Sequence, residues 1–455
     1  MATPRRVVLL LLAAASLGAQ GGSHGGDAPA SRFHYANTPD ELEPYRGLSP
    51  YKDVFTALPA FRGTGREKPE PTYLEEVRIG FIGPLTSQDG PILPPGFRSG
   101  VSEDSPKLLF GRHMLRGAML AIEEANRAGG YDGKAFRLIK RTDLVLWGQT
   151  SNELVQFAFE DSVWAVLSGI DSNHNHVLAR TTLKTEVPIL NAGSTDPTLL
   201  EHAIPWIVRC INDDRQNTYV LLDYIYRVKG LTRVAFLRVN DRDGRVGVME
   251  FVQGARRLGH PVLLEKRFLN GDLDFRDQLL RIQEVSPEAI VLWGNPTETG
   301  LAVRQMREMG MEQPVFGFDR IVHPLFLQTA GAAAEGVVAV STFNPDRDDP
   351  LWQGFRRRYQ ERFAEEPDAY AAHAYDGMNL LIWAIGEAGL NRARIRDALF
   401  RLKTYPGVTG EIAFDTNMSD ISPPWLAEVQ DGRFRYFSSN HPNFAQTKPA
   451  AAPGR

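Results

Sequence analysis

Cysteine is nearly absent from this sequence, since Cys210 is the only one among 455 residues. A single cysteine excludes an intramolecular disulfide and a metal cluster held by cysteines. Cys210 follows a short, largely apolar run that begins at Trp206, and we expect it to be a small buried residue. A strong charge imbalance is also missing, because the net charge is −4. The composition therefore gives no reason to expect nucleic acid or an anionic membrane as a partner.

The sequence also lacks two common catalytic motifs, the Walker-type phosphate loop and the His-Glu-x-x-His zinc motif. Asp171, Ser172 and His174 would offer a nucleophile beside a base, but neighbours on one turn rarely meet in that geometry. A metal site at His113, His174 and His176 is a second alternative. We interpret these histidines as polar residues near helix starts, and we predict no enzymatic activity, no metal and no cofactor.

Long apolar runs are missing as well, so no membrane-spanning helix is predicted after residue 22. At the N-terminus, two arginines (residues 5–6) precede an apolar run (7–15) and then mostly small residues (16–19). This order is typical of a secretory signal peptide. We predict that residues 1–22 are a signal peptide and that the mature protein is periplasmic or otherwise extracytoplasmic. A buried N-terminal helix is the alternative.

Two predicted strands each end in a small, hydroxyl-rich turn. Residues 164–167 are apolar and lead into the turn 168–173, and residues 187–190 lead into the turn 191–197. Neighbouring parallel strands that end in such turns form a polar pocket at one edge of a sheet, where open α/β sheets bind ligands. The alternative is a pair of ordinary strand-to-helix turns whose hydroxyl groups cap helices.

Strands alternate with helices along most of the chain, which predicts an α/β protein with parallel sheets covered on both faces. The units fall into two groups around residues 212–215, so we expect two Rossmann-like lobes with a cleft between them. Residues 31–72, within an N-terminal segment 23–75, predict an irregular aromatic arm on the main body. Residues 86–109 predict a proline-rich loop at the cleft mouth, and residues 438–455 a flexible tail.

Several soft motifs stand in a distinctive order across the body of the chain. They are Gly83 to Thr86, Ala121 to Asn126 followed by Gly129-Gly130, Gly169 to Ser172, Ser194 to Pro197, Arg304 to Gly310, Ala374 to Gly377 and Gly410 to Asp415. In this order they resemble periplasmic solute-binding proteins of the leucine/isoleucine/valine-binding type, which serve ABC importers. The resemblance implies the type I periplasmic binding fold, with three hinge crossovers, residues 76–211 plus 343–412 in lobe 1 and residues 212–342 plus 413–437 in lobe 2.

The resemblance also implies the roles of single polar residues. Ser172 matches the serine that binds a ligand carboxylate, and Thr195 matches the threonine beside both charged groups of the ligand. The carbonyl of Gly193 falls where the family binds the ligand ammonium, with Ser194 beside it and Asp319 facing it. This arrangement agrees with the needs of an amino-acid zwitterion, which requires donors at one end and an acid at the other. The alternative for Asp319 is a helix N-cap.

The side-chain pocket departs from the family. Phe110 and Tyr370 match its aromatic positions, but Asp243 stands where the second lobe usually has an aromatic residue, and Asn295 or Pro296 stands at another such position. These departures favour a polar or cationic ligand, or one outside the amino acids, over a branched aliphatic one. Residues 241–244 also resemble part of a calcium loop but lack its closing glutamate, so we expect a solvated turn there. A turn that tilts Asp243 away from the cleft is the alternative.

The sequence thus predicts a binding protein and no enzyme. We expect it to capture a small polar molecule, an amino acid or a similar compound, by hinge closure, and to deliver it as a monomer to a membrane ABC permease. A ligand-sensing receptor component on the same fold, which signals to a partner protein, is the alternative. No nucleic-acid partner is expected.

Overall fold

The computed structural model describes residues 61–94, 96–97, 105–144, 147–202 and 204–438. The predicted signal peptide lies outside these residues, as do the arm up to residue 60 and all but the first residue of the predicted tail. In this part of the chain, no helix is both long and apolar enough to cross a membrane.

Five parallel strands form the sheet of the first lobe. They are β1 (Glu76–Gly83), β2 (Ala135–Thr142), β3 (Val166–Ser168), β4 (Ile189–Asn191) and β5 (Ile207–Arg209). Their order is β2-β1-β3-β4-β5, so the strand order reverses between β1 and β3. Every residue of β3, β4 and β5 is buried, as expected for parallel strands with both faces covered.

Helices from two parts of the chain cover this sheet. The first part supplies α1 (Pro106–Arg127), α2 (Trp147–Phe159), α3 (Ser172–Thr185) and α4 (Thr198–Glu201). The C-terminal part supplies α10 (Pro350–Phe363), α11 (Ala369–Ala388) and α12 (Arg392–Arg401). The long helices α1 and α11 pack against each other along the apolar core.

The second lobe contains a larger, mixed sheet. Its strands are β6 (Val234–Val239), β7 (Leu264–Phe268), β8 (Ala289–Trp293), β9 (Val315–Gly317), β10 (Val338–Ser341), β13 (Trp425–Gln430) and β14 (Arg433–Ser438). The order is β14-β13-β10-β9-β8-β6-β7. The strands from β6 to β10 are parallel, whereas β13 pairs antiparallel with β10 and β14. The parallel part repeats the strand order of the first lobe.

The helices of the second lobe are α5 (Asp214–Leu222), α6 (Arg242–Arg257), α7 (Arg276–Glu284), α8 (Pro296–Glu308) and α9 (Pro324–Ala330). A π-helical stretch, Asp223–Val228, continues α5. These elements enclose a separate apolar core around residues such as Phe236, Phe251 and Phe316. Each lobe therefore has its own core.

The described chain passes between the lobes three times: after β5, after β10, and after the hairpin of β11 (Thr404–Gly407) and β12 (Gly410–Ala413). Buried Arg209 ties the first and third passages together. Its Nη2 donates to Asp213 Oδ2 at 2.9 Å and to Ser419 Oγ at 2.7 Å. Its carbonyl accepts from Asp420 N at 3.0 Å. The first and third crossovers therefore share one buried polar cluster.

The structure confirms the predicted fold class, but two predicted boundaries are wrong. Helix α1 begins at Pro106, so the last residues of the predicted loop 86–109 are helical. A proline fits the first helical position because its missing N–H is not needed there. Helix α6 begins at Arg242, and Asp241 caps it by accepting from Gly244 N at 2.9 Å. The expected solvated turn at residues 241–244 is therefore the first turn of a helix.

The described end of the arm, from residue 61 onward, packs on the first lobe. Phe61 meets Trp206 edge to face, with ring centroids 4.7 Å apart. Arg66 Nη2 donates to Asp397 Oδ1 at 3.0 Å, and Glu70 Oε2 accepts from the Tyr131 hydroxyl at 2.8 Å. Aromatic and polar contacts thus hold this segment against the body.

Candidate functional site

The loops at the carboxyl ends of the two sheets face each other, and the predicted site residues lie in or beside them. The first lobe contributes Phe110, Ser172, Gly193, Ser194, Thr195 and Tyr370, and the second lobe contributes Asp243, Asn295 and Asp319. In both lobes, these loops include the ones beside the reversal of strand order, where doubly wound sheets bind ligands.

The two hydroxyl-rich turns of the first lobe meet through their serines. Ser172 Oγ and Ser194 Oγ are 2.9 Å apart, and both side chains are buried. Asn191, at the end of β4, fixes the second turn by accepting from Ser194 N at 2.9 Å. The cap of α3 is Asp171, which accepts from His174 N at 3.2 Å. Ser172 is therefore not the capping residue, and its hydroxyl faces the neighbouring turn.

Close packing explains the glycine in the second turn. A Cβ atom at Gly193 would lie 2.8 Å from Ile170 Cγ2 and 3.0 Å from Met114 Cε. Thr195 follows it and is 8% exposed, and its carbonyl accepts from Asp214 N at 2.7 Å. The second turn is thus hydrogen-bonded to the first residue of α5 in the other lobe.

An aromatic cluster lies where α1 and α11 reach the cleft. Phe110 and Tyr370 stack with their ring centroids 4.5 Å apart and an interplanar angle of 27°. His323 of the second lobe meets Phe110 edge to face at 5.3 Å. Burial raises the pKa of the Tyr370 phenol well above its ordinary value, and nearby Asp319 raises it further. This cluster joins the two lobes at one side of the cleft.

A group of charged residues lies on the first-lobe side of the cleft. Lys107 Nζ lies 3.3 Å from Asp171 Oδ2, and His174 Nδ1 lies 3.1 Å from Asp171 Oδ1. Although burial opposes it, the hydrogen bond from His174 and the charge of Lys107 hold the pKa of Asp171 far below its ordinary value. Burial raises the pKa of neighbouring Asp143 to about 7. Two interacting carboxyl groups therefore have pKa values displaced in opposite directions here.

The second lobe supplies a buried ion pair. Arg320 Nη2 donates to Asp243 Oδ2 at 2.9 Å, and Arg320 Nη1 lies 3.5 Å from Asn295 Oδ1. Asn295 Nδ2 in turn donates to Asn270 Oδ1 at 2.9 Å. Although burial opposes it, Asp243 holds the pKa of Arg320 well above its ordinary value. Asp243 is therefore buried and paired with Arg320.

Two further acids lie between the lobes. Asp319 begins a 3₁₀ turn after β9, so it follows the cap residue, Phe318, and is not itself the cap. Burial raises its pKa, while Arg320 lowers it. Asp214 begins α5, and burial raises its pKa well above the ordinary value, with a further contribution from Asp319. A positive charge between these acids would favour their ionised forms.

A bridge across the rim joins the lobes at another point. Arg242 of the second lobe donates from Nε to Asp196 Oδ2 of the first lobe at 2.8 Å. Its Nη2 lies 2.9 Å from His176 Nε2 and 3.1 Å from Thr198 Oγ1. Asp196 is buried, and it also contacts His176 at 3.0 Å. The lobes are thus in direct polar contact beside the cleft.

The three histidines weighed as metal ligands are engaged elsewhere. His113 lies 2.8 Å from Asp368, while His174 and His176 contact different acids, Asp171 and Asp196. Among the described residues, no group of three or more His, Cys, Asp or Glu side chains is arranged to hold a metal ion.

Sequence reasoning missed three charged residues of the cleft: Lys107, Asp214 and Arg320. Arg320 directly follows Asp319, but its partner Asp243 is 77 residues away, so no local pattern reveals the pair. Lys107 falls within the predicted loop 86–109, whereas the helix already begins at Pro106. Asp214 follows the N-cap Asp213. The sequence shows this capping signal, but it does not show that Asp214 faces the cleft.

Two α/β lobes, crossover connections and a polar cleft define a two-lobed ligand-binding protein. The sequence profile described as periplasmic binding protein matches residues 76–433. The chain therefore belongs to the periplasmic binding protein family.

Individual relatives agree with this assignment. Leu/Ile/Val-binding protein homolog 2 of Brucella abortus (strain 2308) is 25% identical over 347 residues, which cover 72% of this chain and 89% of that protein. An amino acid binding protein of Pseudomonas aeruginosa is 27% identical over 286 residues, which cover 62% of this chain and 75% of that protein.

Solved structures share the fold. LivJ of Streptococcus pneumoniae in complex with isoleucine has a TM-score of 0.69 and 23% identity, and the match covers 80% of this chain and 99% of LivJ. A solute binding protein from R. palustris in complex with benzoate has a TM-score of 0.68 and 14% identity, and the match covers 80% of this chain and 96% of that protein. At these identities, the likeness concerns the fold alone.

Proposed function

We propose that this protein is an extracytoplasmic solute-binding protein. It captures a small, polar, amino-acid-like molecule between its lobes and delivers it to an ABC importer. The observation that carries the proposal is the division of the site: buried hydroxyl groups, Ser172 and Ser194, lie on one lobe, and Asp319 lies on the other. Such a site is complete only when the lobes are closed.

The first lobe would bind the carboxylate of the ligand. Ser172 is the first residue of the 14-residue helix α3, where the helix dipole favours an anion. Its hydroxyl and that of Ser194 can rotate to donate to a carboxylate. Thr195, whose hydroxyl donates to Asp214, follows them in the second turn. Charge-assisted hydrogen bonds of this kind are stronger than neutral ones.

The ligand ammonium would lie between the carbonyl of Gly193 and the carboxylate of Asp319. Burial raises the pKa of Asp319 by more than Arg320 and the backbone hydrogen bonds lower it, so its ionised form is disfavoured in the free protein. An ammonium supplies the missing positive charge and lowers that pKa again. Phe110 and Tyr370 would line the pocket for the ligand side chain, with Asp243 and Asn295 at its far end.

Delivery to a permease rests on the family and on the predicted signal peptide at residues 1–22. The contact of Arg242 with Asp196 supports closure, because it joins the lobes beside the cleft. The importer recognises the closed, loaded form, and the protein acts as a monomer without chemical conversion of its ligand.

A thermal-shift screen tests the proposal. A ligand that binds only the folded state raises the melting temperature, by an amount set by its concentration and Kd. The panel contains the twenty amino acids, their amides, small carboxylates and aromatic acids. At least one amino-acid-like member should raise the melting temperature of the ligand-free wild type. A flat response across the panel, together with no ligand retained by the purified protein in native mass spectrometry, would contradict the proposal.

A further inference from the structure

Two buried carboxylates beside the proposed site each have one oxygen without a hydrogen-bond partner among the described residues. These atoms are Asp214 Oδ1 and Asp243 Oδ1. The residues are only 1% and 8% exposed. A buried acceptor without a donor costs free energy, so such atoms are normally satisfied in a functional state of the protein.

Asp214 faces the cleft. Its backbone N–H donates to the carbonyl of Thr195 at 2.7 Å, and its carboxylate accepts a hydrogen bond from the Thr195 side chain. The same carboxylate interacts electrostatically with Asp319, Asp243 and Arg320 of the second lobe. Asp214 therefore lies between the turn of the first lobe and the charged residues of the second.

Acidic side chains outnumber basic ones at this place. The carboxyl groups of Asp214, Asp243 and Asp319 all interact electrostatically with the guanidinium of Arg320. Arg320 is held by Asp243 Oδ2 at 2.9 Å. Lys107 Nζ lies 3.3 Å from Asp171 Oδ2, and Lys107 also interacts electrostatically with Asp243. One ligand ammonium at Asp319 would still leave the free oxygens of Asp214 and Asp243 without a donor.

We propose that Asp214 and Asp243 form a second cation subsite beside Asp319, and that the ligand is an amino acid with a cationic side chain. This inference rests on the proposed function, because the α-carboxylate and α-ammonium occupy the positions described above. The side-chain ammonium or guanidinium donates to Asp214 Oδ1 and Asp243 Oδ1. A branched aliphatic side chain would leave both oxygens buried and unpaired.

Isothermal titration at pH 7 with matched ligands tests this inference. L-lysine and L-norleucine have the same length and differ by the terminal ammonium, and L-arginine and L-leucine extend the comparison. We expect lysine or arginine to bind wild-type protein at least about tenfold more tightly than norleucine, because only the cationic ligands pair with the free carboxylate oxygens. Equal or tighter binding of norleucine and leucine would overturn the inference and leave the proposed function standing.

The variant Asp214→Asn locates the subsite. It should reduce the preference for the cationic ligand over norleucine by about tenfold while norleucine affinity changes less than about threefold. Asp223→Asn is the matched control, since Asp223 is buried in the π-helical continuation of α5 and pairs with Arg227. It should leave the preference unchanged.

Three outcomes are separable. An unchanged preference in folded Asp214→Asn protein would remove Asp214 from the subsite and overturn the inference. If the variant does not fold, the lysine-to-norleucine ratio of the wild type still decides whether the ligand is cationic. Binding of no amino acid by the wild type would contradict the proposed function itself, and the inference with it.

Discussion

Arg242 of the second lobe and Asp196 of the first lobe form a salt bridge across the rim of the cleft, with Nε and Oδ2 2.8 Å apart. The Asp196 side chain is 1% exposed and the Arg242 side chain is 30% exposed. The bond therefore joins a buried acid to a cation that still reaches solvent. Because it links the lobes, it contributes to the closed form and is lost when the lobes separate.

Replacing Arg242 by glutamine should weaken ligand binding. The change removes the charge-assisted bond to Asp196, and the closed form loses on the order of 1.5 kcal/mol relative to the open form. The Kd of the ligand should then rise about tenfold, as measured by isothermal titration. Arg245→Gln is the matched control, because Arg245 is exposed on the same helix. Equal effects of the two changes would exclude a special role for the bridge.

Asp143 should make stability dependent on pH. Burial raises its pKa from about 3.8 to about 7, Asp171 adds to the shift, and His174 and Lys107 oppose it. The folded state therefore binds a proton that the unfolded state releases. The contribution of Asp143 to the free energy of unfolding is fully present below about pH 4. It is lost as the pH rises toward 7, by on the order of 4 kcal/mol.

Substituting Asp143→Asn removes this titration. In the ligand-free protein at pH 8, the variant should be more stable than wild type in urea unfolding, and the difference should shrink by more than half at pH 5. Asp274→Asn, at an exposed position, serves as the control and should show no such trend. A variant that is less stable at pH 8 than at pH 5, relative to wild type, would contradict the assignment.

Gly117 should be intolerant of a side chain. A Cβ atom there would collide with the carbonyl oxygen of Ala371, since α1 and α11 approach closely at this point. Gly117→Ala should lower the free energy of unfolding by about 1–3 kcal/mol, as for other overpacked sites. Gly148→Ala in α2 meets no atom within 4 Å. Gly148→Ala should therefore be neutral or stabilise the protein by up to about 1 kcal/mol. The melting temperatures of the two variants test both expectations, and that of Gly117→Ala should be the lower.

The sequence predicted the lobes and the strand ends because these follow local rules. Alternation of apolar strands with amphipathic helices identifies the sheets, and hydroxyl-rich turns identify their carboxyl edges. Ser172 lies in one of these turns, whereas Asp319 was expected only from the resemblance to the solute-binding family. Two helices begin earlier than predicted, at Pro106 and at Arg242. Both starts carry local signals, a proline at the first helical position and the cap residue Asp241.

The charge balance of the cleft could not be predicted from local patterns. The pairing of Asp243 with Arg320 joins loops after β6 and β9, and the contact of Asp214 with Thr195 joins two lobes. Both depend on how strands are ordered and how lobes close. Arg320 therefore partly neutralises Asp319, the acid that was predicted to face the ligand. Asp214, which was not predicted, interacts with Asp319 electrostatically.

Isothermal titration of wild-type and Asp319→Asn protein, with the amino acid that gives the largest thermal shift, tests the account most directly. The account predicts one binding site per wild-type molecule. It also predicts a loss of about 2–5 kcal/mol of binding free energy in Asp319→Asn, because the ligand ammonium loses its charged partner. Unchanged affinity in a folded Asp319→Asn protein would contradict the claim that the ligand binds between the two lobes at this acid.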